Sequence, residues 1–134
     1  MKISACIKNS FHQHAATVQT NDAEKEIQIA PKPAGFGSSI NGGELLMLSL
    51  ATCFCNDIYR EAVKRNITVS AVEVTVTGEF GGEGQPGFNF NYKANVVSDA
   101  PAAVIDELIK YTDQVAEIQN TLRKGLNITL RQEN

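Results

Sequence analysis

The chain has 134 residues, 43% of them hydrophobic and 20% charged, with ten glycines and a formal net charge of -3. This is the size and composition of one ordinary globular domain, residues 1–134, and it excludes disorder and repeat arrays. The twelve Lys and Arg are scattered singly among fifteen Asp and Glu, which gives nucleic acid no basic face, and no run approaches the roughly 18 apolar residues of a membrane span.

Met1-Lys2-Ile3 leads into a short alternating segment with no signal-peptide core, so a cytoplasmic protein is expected. Residues 2–8 and about 15–20 alternate, Asn21-Asp22 marks a turn, and Glu26-Ile27-Gln28-Ile29 follows. The pattern predicts three strands in a meander. Pro31, Pro33, Gly35, Gly37, Ser38 and Ser39 then form a loop that no regular element would tolerate.

From Glu44 to about Arg65 there is neither Gly nor Pro, and between Leu45 and Cys55 only Ser49 and Thr52 are polar. The stretch predicts a helix about 30 Å long, apolar all round in its first half and therefore buried on all sides. It should thread the core or a dimer interface. Next, Val72, Val74 and Val76 alternate with polar residues, as do Phe88, Phe90 and Tyr92, around the glycine-rich stretch 81–87. Two half-buried strands joined by a hairpin loop are expected.

Asp99 before Pro101 reads as a helix start, with Val104, Leu108 and Tyr111 as its stripe. A further helix runs from about Val115 to Lys124 and ends at Gly125, a C-cap, before a last alternating strand at Leu126, Ile128 and Leu130. The order βββαββααβ makes the fold class α+β, with antiparallel sheets around a long buried central helix.

The three cysteines, Cys6, Cys53 and Cys55, and the two histidines, His12 and His14, fit neither a disulfide scaffold nor a zinc site. His12 and His14 read as surface residues of one strand face, and no metal or cofactor is called for. On the central helix, Ser49, Cys53, Asn56, Asp57 and Arg60 fall within about 60° of one line, a polar seam on an apolar helix. Cys55 lies about 200° from Cys53, so the two cannot pair while both are helical. Cys53 is therefore the candidate thiol and Cys55 a packing residue. Arg60 has two readings: a cation that lowers the Cys53 pKa, or the i, i+3 partner of Asp57. Glu44, in the first turn, complements the helix dipole.

Asn41-Gly42-Gly43-Glu44-Leu45-Leu46 running to Leu50-Ala51-Thr52-Cys53-Phe54, then Lys64-Arg65-Asn66-Ile67 and a Val-rich strand, resembles the OsmC/Ohr family of osmotically inducible and organic hydroperoxide resistance proteins. The segment Ala116-Glu117-Ile118-Gln119-Asn120-Thr121-Leu122 resembles that family's second cysteine-bearing segment. The resemblance implies an intertwined homodimer with sites at the subunit interface. It also implies reduction of organic hydroperoxides by a peroxidatic cysteine, matching Cys53.

The chain departs from the family in three places. The resolving cysteine is matched by Ala116, the active-site Glu falls at Gly43 with Glu44 one residue later, and no arginine precedes Arg60. Lys25, Lys32 or His14 could replace that arginine only as point charges.

Two readings follow. One is a one-cysteine peroxidase recycled by an external thiol, with Cys53 as its thiol and Glu44 and Arg60 as candidate assistants. The other is a non-catalytic dimer that binds a small apolar ligand or senses redox state.

Overall fold

The computed structural model describes residues 1–132. Its elements are β1 (Ile3–Ser10), β2 (Gln13–Thr20), β3 (Ala23–Ile27), α1 (Gly42–Lys64), β4 (Val69–Glu79), β5 (Phe88–Ser98), α2 (Ala102–Val115) and α3 (Glu117–Lys124). The architecture is α+β with antiparallel pairing throughout. Two compact units divide the chain, Met1–Leu45 and Leu46–Asn134.

In the N-terminal unit β1, β2 and β3 form a meander in the order β1-β2-β3. Phe11 and His12 make the two-residue turn between β1 and β2, with His12 at φ 57. His12 therefore lies in the turn and shares no strand face with His14. The sequence pattern missed this because alternation does not reveal which two residues of a run bend back. Asn9 ties the later loop to the hairpin, accepting from the Gly37 amide at 2.9 Å and donating to the Gly37 carbonyl at 3.1 Å.

The C-terminal unit is built on the 11-residue strands β4 and β5, paired antiparallel. Val72, Val74 and Val76 are half-buried while Glu73, Thr75 and Thr77 face water, as the alternation predicts. Phe54, Ile58 and Ala62 of α1 pack with Leu108 of α2 and Ala116, and Val72, Val74, Tyr92, Ala94 and Val96 of the sheet close the core.

Three expectations fail in the helices and the tail. First, α1 is not buried on all sides within the chain. Leu50, Phe54 and Ile58 are buried, yet Leu48 is 56% exposed, Val63 is 75% exposed, and Leu45 and Tyr59 are exposed as well. The β4–β5 face covers one side of a helix that is apolar on two.

Second, α2 starts at Ala102, with Pro101 at the cap and no side-chain capping bond, rather than at Asp99. Proline disfavours helical geometry in the residue before it, so Ala100 cannot join the helix. The packed stripe is Ile105, Leu108, Ile109 and Thr112, while Val104 and Tyr111 stay exposed.

Third, the segment holding Leu126, Ile128 and Leu130 forms no strand, and Ile128 is 98% exposed. Alternation specifies a face, but a strand exists only where a neighbouring edge accepts its hydrogen bonds. The helix before it ends as expected: Gly125 takes φ 72 and donates to the Thr121 and Leu122 carbonyls.

Candidate functional site

The polar seam of α1 meets the start of α3. The Cys53 thiol is half-buried and donates to Asp57 Oδ2 at 3.5 Å, one turn along the same helix. Its sulfur also lies 3.9 Å from Glu117 Oε2, at the first position of α3. The three side chains come from 64 positions apart in the sequence, and their ligand atoms all lie within 4.8 Å of one another.

Arg60 supplies the cation these acids need. Its Nη1 is 2.8 Å from Asp57 Oδ1 and 3.2 Å from Glu117 Oε1, and its Nε is 3.0 Å from Glu61 Oε1. The i, i+3 reading of Arg60 with Asp57 is thus correct. The guanidinium is bonded to the carboxylates, and the sulfur faces those same carboxylates. A short arginine-to-carboxylate bond outcompetes a weak thiolate contact about 10 Å along the helix axis.

The electrostatics follow from that arrangement. Burial pushes the Cys53 thiol up from its ordinary value, the Ile118 N–H opposes this, and the charges of Asp57 and Glu117 add to the rise. Burial also raises the Asp57 carboxyl, with Glu117 adding to the rise while Arg60 and the thiol contact hold it down. Glu117 moves the other way, lowered by its own backbone N–H at the start of α3 and by Asp57 and Arg60. The two acids behave as a pair that resists carrying two negative charges side by side.

Behind Arg60, Glu61 is buried and bonded to Lys64 at 2.9 Å and Arg65 at 3.3 Å, which with Arg60 holds its carboxyl down at about 2. Gln119, two residues after Glu117, is buried and donates to the Leu50 carbonyl at 3.0 Å, pinning α3 to α1. A groove of about 130 Å³ lies against this pin, lined by Leu50, Val76, Phe90, Gln119 and Leu122 among others. A larger cavity of about 470 Å³, between Phe54, Tyr92 and α2, includes none of Cys53, Asp57 and Glu117.

The other residues singled out by the sequence have simpler roles. Glu44 is committed to the start of α1: its Oε2 accepts from the Asn41 N–H at 3.1 Å while its own N–H donates to Asn41 Oδ1 at 2.8 Å. This reciprocal pair is a capping box. His14 Nδ1 is 3.0 Å from Asn9 Nδ2. Ala116 is fully buried in the core, so the position matching the family's second cysteine is a packing residue. Cys6, Cys53 and Cys55 are all free thiols. Sequence reasoning missed Glu117; the available signal was its place in the segment that resembles the family's second cysteine region.

Among the described residues, no helix is long and apolar enough to cross a membrane. No curated protein matches the sequence. Solved structures do match. An OsmC-like protein from Mycoplasma pneumoniae is 21% identical, with 91% of this chain and 86% of that one covered and a TM-score of 0.62. A putative organic hydroperoxide resistance protein from Vibrio cholerae, with captopril bound in one of its active sites, is 22% identical over 92% of this chain and 85% of that one, at a TM-score of 0.60. An organic hydroperoxide resistance protein OsmC from Legionella pneumophila is 17% identical over 92% and 90%, at 0.61. At these identities the likeness establishes the fold. The sequence profile described as OsmC-like protein matches residues 35–131, which spans α1, the β4–β5 sheet, α2 and α3, and the chain therefore belongs to the OsmC-like family.

Proposed function

We propose that the protein is a one-cysteine thiol peroxidase that reduces organic hydroperoxides through Cys53. The observation that carries the reading is the half-buried Cys53 thiol at the junction of α1 and α3, where it meets groups able to handle its proton. The structural neighbours named for hydroperoxide resistance support the substrate class. In the reaction the sulfur attacks the peroxide, leaving a sulfenic acid and releasing the alcohol. With alanine buried at position 116, an external thiol condenses with the sulfenic acid, and a second one releases the reduced enzyme.

The working unit in this proposal is a cytoplasmic homodimer. Its support is the uncovered side of α1, where Leu45, Leu48, Tyr59 and Val63 are exposed.

The experiment is consumption of cumene hydroperoxide in the presence of dithiothreitol, with intact-mass readout after one equivalent of oxidant. The wild-type chain should turn over and gain one oxygen at Cys53, and Cys53→Ser should do neither. Turnover that survives Cys53→Ser, or a wild-type Cys53 left unoxidised, rejects the reading.

The carboxylates around the sulfur favour a specific second reading, in which Cys53 reacts slowly, persists as a sulfenic acid and reports oxidant without turnover. Stoichiometric oxidation without recycling by dithiothreitol would select it.

A further inference from the structure

Resting on the peroxidase reading, we infer that Asp57 is a catalytic residue: it takes the Cys53 proton as the sulfur attacks and returns it to the departing alkoxide, with Glu117 and Arg60 holding it in place. The geometry requires some such group. Among the described residues no cation is bonded to the sulfur, Arg60 being committed to Asp57, Glu117 and Glu61. A half-buried thiol that donates to one carboxylate and faces a second is held toward its protonated form, so attack calls for proton removal as the sulfur–oxygen bond forms.

Asp57 is the group placed to remove it. Its Oδ2 accepts directly from Sγ at 3.5 Å, and it is 5% exposed, so bulk water does not compete for the proton. Its other oxygen is held by Arg60 Nη1 at 2.8 Å, which fixes the carboxylate plane toward the sulfur. Glu117, on the far side of the pair, makes Asp57 a stronger base than a lone carboxylate, because two adjoining acids resist carrying two negative charges. The charged groups that face the sulfur and its base are thus Asp57 and Arg60 from α1 and Glu117 from α3, with Glu61 behind Arg60.

The balance closes. The S–H proton passes to the Asp57 carboxylate while sulfur bonds to the terminal oxygen of ROOH and the O–O bond breaks. Sulfur loses two electrons to the peroxide, the hydroxyl oxygen stays on sulfur as S–OH, and RO⁻ collects the proton from Asp57 to leave as ROH. Asp57 is regenerated as the carboxylate within the same step.

The test compares two reactions of one thiol. Iodoacetamide alkylation needs only a thiolate, whereas hydroperoxide reduction also needs a proton for the leaving group. Replacing a nearby acid raises the thiolate fraction, so Asp57→Asn should alkylate faster than wild type. If Asp57 carries the proton, the same variant should reduce cumene hydroperoxide more slowly. The ratio of peroxide to alkylation rate constants should then fall at least about tenfold, within the range of general acid–base effects. Asp57→Glu should recover part of that ratio. Glu117→Gln, at an exposed position that does not threaten folding, should lower the ratio by a smaller factor and decides the question if Asp57→Asn fails to fold.

A peroxide rate that rises in step with alkylation in Asp57→Asn and Glu117→Gln overturns the relay and leaves Asp57 as a charge alone, with the peroxidase reading intact. A wild-type Cys53 that alkylates but never reacts with the hydroperoxide removes the peroxidase reading and the relay together.

Discussion

Arg60 on α1 donates from Nη1 to Glu117 Oε1 on α3 at 3.2 Å, and the same nitrogen reaches Asp57 at 2.8 Å. One guanidinium nitrogen thus bridges two helices and two acids, and the only arginine on the polar seam is used to organise carboxylates. The thiol chemistry open to this chain is set by that choice. The Cys53 sulfur faces carboxylates, and the cation beside them is bonded to those carboxylates.

The pH dependence of Cys53 follows directly. Its pKa is raised, mainly by burial, so the reactive thiolate should appear only above the ordinary thiol range. Iodoacetamide rates measured from pH 6 to 11 on a chain with Cys6 and Cys55 replaced by Ala should show a midpoint above that of a free thiol. A midpoint below neutrality would mean that a cation has reached the sulfur after all.

Glu61 should make stability fall in acid. Its folded pKa of about 2 lies below its ordinary 4.5. A carboxyl lowered on folding contributes stability that is fully present above 4.5 and is lost as pH falls from 4.5 toward 2. Urea midpoints at pH 7, 4.5 and 3 should decline over the last interval, and Glu61→Gln should flatten that decline. At neutral pH the same substitution should cost about 1 to 3 kcal/mol, since three charged hydrogen bonds weaken at once.

Cys55→Ser should leave peroxide consumption unchanged. Cys55 is half-buried about 200° around α1 from Cys53, so the new hydroxyl should lower stability by about 1 kcal/mol. Loss of turnover at unchanged melting temperature would reverse the roles of the two thiols.

Gly78→Ala should be destabilising for a steric reason. It sits in β4 at the irregular register between Thr77 and Glu79, and a Cβ there would lie 2.6 Å from the Phe90 ring. The ring must turn away, at a cost of about 1 to 3 kcal/mol in chemical denaturation. A neutral result would show that Phe90 has a second position open to it.

Leu48→Glu tests the assembly. Sedimentation of the wild-type protein at micromolar concentration should show a dimer, and a charge at the exposed Leu48 should shift it to monomer. A folded wild-type monomer would remove the dimer from the proposal.

The fold was legible wherever a periodic pattern met a partner inside the chain. Val72 and Val74 alternate with polar residues and pack against the core of Phe54, Ile58 and Ala62, and α1 itself runs Gly42–Lys64 against the expected Glu44 to Arg65. Leu126, Ile128 and Leu130 alternate just as well and form no strand, because pattern carries no information about whether an edge waits for it. At the site, helical spacing was enough to place Cys53, Asp57 and Arg60 on one line. It could not supply Glu117, which reaches the sulfur only through the packing of α3 that Gln119 anchors. Nor could it show which oxygen would claim Arg60, since that depends on short-range competition in three dimensions.

Among the described residues of the N-terminal unit, Ala16 alone is buried, at 6% exposure. A three-stranded sheet with one alanine for a core has too little apolar cover to persist as a free body in water. Its strand amides are therefore a gauge of whatever covers them. In hydrogen–deuterium exchange, protection of β4 and β5 should track global unfolding, while protection of β1 to β3 should track protein concentration if the cover is a second copy. Dilution alone would then bleach the first third of the chain from the protection map while the core around Phe54 and Leu108 stayed dark.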